Sequence, residues 1–131
     1  MRSMSTVRKM MALVFVLCMM AAPAFAADPI RIGEIATVTG DFAAYGVAEV
    51  ESVKIAVAEI NAAGGILGRP VEVVMYDCRT RQEDMVNAAR RLVEQDKVSV
   101  VIGPSGSGLC IAAAPVFNRG QVPHIGTLPT N

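Results

Sequence analysis

Residues 98–108 read VSVVIGPSGSG. Five mostly β-branched residues run straight into a turn of glycine, proline and serine, and an alanine-rich segment follows Leu109. β-branched side chains suit a pleated strand, and glycine reaches backbone conformations that other residues avoid. The stretch therefore reads as strand, tight turn and helix. The same change of period recurs on both sides of it. Upstream, residues 30–37 (IRIGEIAT) predict a first strand, followed by a loop over residues 38–46 (VTGDFAAYG). Val50, Val53, Val57 and Ile60 then recur at spacings of three and four, the stripe of an amphipathic helix. Asn61 and the pair Gly64-Gly65 end that helix, because glycine takes a left-handed cap without a Cβ penalty.

Gly68-Arg69-Pro70 leads into a second strand over residues 71–76, which stops at Asp77. A second helix is expected over residues 82–95, with Met85, Ala88, Ala89, Leu92 and Val93 on its apolar side. Residues 98–102 make the third strand, residues 108–118 a third helix bent by Pro115, and residues 122–126 a fourth strand. The order βαβαβαβ predicts an α/β fold, a doubly wound parallel sheet with helices on both faces. In such sheets ligands bind beyond the carboxyl ends of the strands. VTGDFAAYG, DCRTRQ, GPSGSG and residues 127–131 all lie there.

The N-terminus carries a different message. Arg2, Arg8 and Lys9 precede an apolar run, MALVFVLCMM, and Ala24-Phe25-Ala26 supplies the small residues that a signal peptidase requires. The run is shorter than the ~20 residues of a membrane span. Phe15-Val16-Leu17 before Cys18 lacks the small residue that precedes a lipidated cysteine. Residues 1–26 are thus expected to be a cleaved signal peptide and residues 27–131 the mature part. Cleavage removes three of the twelve basic residues and none of the twelve acidic ones, leaving a net charge of −3. No basic patch remains, so no nucleic-acid partner is expected.

Two cysteines, Cys78 and Cys110, stay in a compartment that permits disulfides. A bridge would stabilise by ~3–4 kcal/mol on a chain-entropy argument, and two separate buried thiols are the alternative. No His or Cys cluster suggests a metal.

The turn itself allows three chemistries. A phosphate cradle needs G-x-x-x-x-G-K-[ST], and no lysine follows here; Gly103, Gly106 and Gly108 also reverse the dinucleotide spacing, so no cofactor is expected. A hydrolase elbow needs G-x-S-x-G, which neither Ser105 nor Ser107 satisfies. His124, inside the expected fourth strand, would be the base of such an enzyme, or simply a hydrogen-bonded histidine beside the sheet. The third chemistry is an uncharged anion cup, in which a serine hydroxyl and the N–H groups at a helix start favour a carboxylate. The alternative for Ser107 is a plain helix cap.

The stretch INAAGGILGRPVEVVMYD (residues 60–77), with VTGDFAAYG before it and VVIGPSGSG after it, resembles the periplasmic substrate-binding proteins of branched-chain amino acid ABC transporters. The likeness covers residues 30–131. It implies a two-lobed fold that closes on its ligand, of which this chain would hold an incomplete N-terminal lobe. By the same resemblance, Ser107 would hold the ligand's α-carboxylate and Thr130 its ammonium and carboxylate. Leu128 would offer a backbone carbonyl and Tyr45 an aromatic surface. The second lobe would supply the acid that pairs with the ammonium. Some family members bridge the loops that carry Cys78 and Cys110, although from other positions. The implied function is a periplasmic, non-enzymatic protein that captures an amino acid or a similar small carboxylate or amide for a membrane permease. A ligand-sensing domain of the same fold, and a secreted hydrolase using Ser105 or Ser107 with His124, are the rival readings.

Overall fold

The computed structural model describes residues 28–130. The expected signal peptide, residues 1–26, lies outside the described residues, as does Asn131. The described elements are β1 (Ile30–Ala36), α1 (Ala43–Ala62), β2 (Val71–Asp77), α2 (Gln82–Arg90), β3 (Val100–Ile102), α3 (Ser107–Gly120) and β4 (His124–Ile125). All strand pairs are parallel, in the order β2-β1-β3-β4. This is the doubly wound α/β sheet that the pattern predicts.

Alternation along β1 sorts its side chains between two unlike faces. Ile35 packs with Val101 of β3, Met85 and Ala89 of α2, and Ala113 and Phe117 of α3 in one buried cluster. Glu34 and Ala36 point to the opposite face, where α1 lies. The stripe Val50, Val53, Val57 and Ile60 is the more buried side of α1, yet Val47 and Ile55 on its outer side are apolar and exposed.

Several boundaries differ from those expected. α1 starts at Ala43, so Tyr45 and Gly46 belong to its first turns and not to the loop. Thr37 Oγ1 donates to Phe42 O at 3.3 Å and Phe42 N donates to Thr80 Oγ1 at 3.4 Å, closing the loop early. α2 runs into a π turn, Arg91–Gln95, closed by Asp96 N on Arg91 O at 3.0 Å. Val98 N is held by Leu92 O at 3.2 Å, so β3 begins only at Val100. α3 is longer than expected, running from Ser107 to Gly120 with Pro115 on its exposed side. β4 is two residues long because Pro123 has no N–H and Val122 N is bonded back to Phe117 O at 3.1 Å.

The helix stop before β2 is a side-chain clamp. Asn61 Nδ2 donates to Val71 O at 2.9 Å, while Val71 N donates to Asn61 Oδ1 at 2.7 Å. One amide thus satisfies both polar groups of the first β2 residue. Asn61→Ala should lower unfolding free energy by about 1–3 kcal/mol, the cost of leaving partly buried backbone groups unpaired. A urea titration showing no change in midpoint would contradict this role.

Candidate functional site

The carboxyl ends of the strands open on a cleft of about 530 Å³. Its floor is the turn after β3. A methyl group at Gly103 (φ 81°) would collide with Ile35 O and with Glu49 Oε1, and Gly106 has φ 121°, so both positions require glycine. The Gly103–Pro104 peptide bond is cis. Gly106 is the N-cap of α3 and carries no capping side chain, which makes Ser107 the first helical residue and not the cap. The first N–H groups of a helix have no intrahelical partner. They start here at the cleft wall.

Ser107 Oγ accepts from Thr130 N at 2.9 Å, drawing the segment after β4 onto the start of α3. Ser107, Thr130, Leu128 and Tyr45, the four candidate ligand residues, all line this cleft. Tyr45 is 59% exposed and meets Phe42 edge-on, with centroids 6.4 Å apart and planes at 70°. Phe42, Thr80, Gln82 and Leu109 also line the cleft and were not singled out from the sequence. The expected loop ranges 38–46 and 77–82 held three of them, but their side-chain types alone gave no sign. Every lining residue is uncharged.

Beneath the floor lie two acids. Glu34 is 2% exposed and Glu49 9% exposed, and one carboxylate oxygen of each has no hydrogen-bond partner. Burial and then the charge of Glu49 push the Glu34 carboxyl up to about 7, against the pull of Lys54. Burial likewise raises Glu49, opposed by the hydroxyls of Thr127 and Ser105. At the end of β2, burial acts to raise Asp77, but hydrogen bonds from Thr39 Oγ1 and from the backbone of Arg79, Thr39 and Val38 outweigh it and hold the carboxyl low.

The two cysteines are free thiols, and the bridge left open by the sequence is not formed. Cys78 belongs to the dry cluster under α2 and α3, where burial raises its pKa to about 11. Cys110 Sγ is turned to Pro104 O at 3.7 Å, and burial raises its pKa too. His124 is the sheet-side histidine. Its Nε2 bonds Gly103 O, which can only accept, so Nε2 carries the proton. Its ring stacks on Phe117 with centroids 4.5 Å apart. Ser105 Oγ donates to Glu49 Oε2 at 3.2 Å. Ser105 and His124 therefore have separate partners and do not pair. Among the described residues, no group of three or more His, Cys, Asp or Glu side chains suits a metal, and no helix is long and apolar enough to cross a membrane.

The parallel-sheet architecture is shared with a known family. The sequence profile of the periplasmic binding protein family matches residues 29–131. The chain belongs to that family. It is 40% identical over 101 residues to a Leu/Ile/Val-binding protein, BraC3, of Rhizobium johnstonii, covering 77% of this chain and 27% of that one. The Leu/Ile/Val-binding protein of Escherichia coli is 35% identical over 91 residues, 70% of this chain and 24% of the other. Among solved structures, the branched-chain amino acid transporter substrate-binding protein LivJ of Streptococcus pneumoniae, in complex with isoleucine, is 41% identical with a TM-score of 0.77. That match covers 79% of this chain and 30% of the other. The leucine-binding protein LivK of Thermotoga maritima gives a TM-score of 0.71 at 31% identity, covering 78% and 28%. The chain thus spans about a quarter of the length of these curated relatives.

The acids beneath the floor predict a pH response. A carboxyl whose pKa rises on folding contributes stability that is full below its unfolded value of 4.5 and is lost as pH rises through about 7. Wild-type protein should therefore melt at a lower temperature at pH 8 than at pH 5, by on the order of 10 °C. Glu34→Gln should flatten the dependence and melt higher than wild type at pH 8. Parallel melting curves for the two proteins across that range would refute the assignment.

Proposed function

We propose that the protein binds an amino acid of the branched-chain type, or a similar small carboxylate or amide, and delivers it to the membrane permease of an ABC transporter. The observation that carries this reading is the start of α3. Ser107 and the first turn of that helix line a cleft whose walls include the apolar side chains Phe42, Tyr45, Leu109 and Leu128, beside Thr80 and Gln82. A carboxylate fits the hydroxyl and the helix end, and an aliphatic side chain fits the walls. Ser107 Oγ both accepts and donates, so its contact with Thr130 N is compatible with a bond to a ligand carboxylate.

Relatives named as Leu/Ile/Val-binding proteins, and a neighbour solved with isoleucine, support the same ligand class. In this reading Thr130 and the Leu128 carbonyl meet the ammonium end and Tyr45 covers the ligand. Residues 27–131 form part of the first of two lobes that close on it. The protein works in the periplasm after cleavage of residues 1–26, and binding proceeds by hydrogen bonds without chemistry.

Isothermal titration with leucine, isoleucine and valine tests the proposal. Ser107→Ala should weaken binding by about 1–3 kcal/mol, the cost of losing a hydrogen bond to a charged group. An unchanged affinity would reduce Ser107 to a structural tie, and heat signals absent for all three amino acids would remove the ligand class.

A further inference from the structure

The two segments that carry Ser107 and Thr130 are joined a second time, below the cleft, through an acid from a distant helix. Ser105 Oγ donates to Glu49 Oε2 at 3.2 Å and lies 3.4 Å from Thr127 Oγ1. Each hydroxyl has one proton. That of Ser105 goes to the carboxylate, and the Thr127 hydroxyl, beside Ser105, also acts on the Glu49 carboxyl. The run Thr127–Ser105–Glu49 therefore links the segment after β4, the turn after β3 and the first half of α1. We propose that Glu49 is a positioning residue of the ligand site: through Ser105 and Thr127 it fixes the turn against the segment after β4, and so sets how Ser107 and Thr130 face the ligand.

Three observations carry the proposal. Glu49 lies beside Val50 on the side of α1 that meets the sheet, where burying a carboxylate is costly and an apolar side chain would serve packing alone. The turn is moulded around this acid, since a methyl group at Gly103 would strike Glu49 Oε1. Ser105 itself is buried, and its hydroxyl contacts are both to parts of this tie. The part that concerns the ligand rests on the function proposed above; the tie between the two segments does not.

The test uses Thr127→Val, Thr127→Ser and Glu49→Ala in the purified protein, read by L-leucine titration and by amide hydrogen exchange at residues 103–108 and 126–130 without ligand. Thr127→Val keeps the side-chain shape and loses the donor. It should weaken leucine binding by about tenfold, the loss expected for one hydrogen bond, and speed exchange in both segments while β1 and β2 stay protected. Thr127→Ser should regain most of both, which a role in packing would not give. Glu49→Ala should speed exchange in the same two segments. If Glu49→Ala does not fold, the Thr127 pair carries the test alone. Unchanged exchange in both segments in Thr127→Val, or equal damage from Thr127→Ser, overturns the proposal. Faster exchange in a protein that binds no amino acid would keep the tie and remove the ligand reading instead.

Discussion

β1 is hydrogen-bonded along both edges, to β2 from Ile30 to Ala36 and to β3 from Ile32 to Glu34. In a parallel sheet this saturation leaves a central strand no freedom of register, since a slip of one residue would exchange its two faces. The carboxyl ends of β1, β3 and β4 are thereby brought together, and the loops that leave them must converge. Ser107 lies five residues beyond the end of β3, and Thr130 five residues beyond the end of β4. Their meeting at 2.9 Å follows from the pairing of Val101 with His124 and Ile102 with Ile125.

The two faces of the sheet work by different physics. Under α2 and α3 the contacts are dry and apolar, with Ile35, Met85, Leu92, Val101 and Phe117 almost fully buried. Nondirectional burial of this kind supplies stability without specifying a chemistry. The α1 face is mixed. Glu34 and Glu49 are buried on it, while Ile55 on the same helix is 61% exposed. Polar groups so placed need partners, and the hydroxyls of Ser105 and Thr127 are recruited from two other segments.

How much of this was legible follows from the range over which each feature is decided. The succession of strands and helices and the helix stop at Asn61 rest on local pattern, and IRIGEIAT, INAAGG and VSVVIGPSGSG announce them. Convergence of Ser107, Thr130, Leu128 and Tyr45 was reached through family resemblance, because no spacing in the chain relates residue 45 to residue 130. Boundaries were less readable. Val98 looks like strand by composition, yet its N–H is claimed by Leu92 O from the preceding π turn. Glu49 reads as one of several charges on a helix; its partners are 56 residues away for Ser105 and further for Thr127, so only the folded chain distinguishes it from the exposed Glu51.

An acid placed beneath the cup proposed for a ligand carboxylate presents an electrostatic problem, since a full negative charge there would oppose such a ligand. Burial relieves it. Desolvation raises both carboxyls, and with Glu34 pushed up to about 7 the pair carries less than two full charges at neutral pH. The cup itself has no cation. A carboxylate held by a hydroxyl and helix N–H groups has no buried ion pair whose desolvation must be offset. In the proposed reading such a site would hold its ligand through directed hydrogen bonds to fixed dipoles, and their geometry would depend on how rigidly the turn after β3 and the segment after β4 are tied together. Glu49 joins the two requirements: the same burial that weakens its charge also obliges it to take hydrogen bonds from the residues that hold the cup in shape.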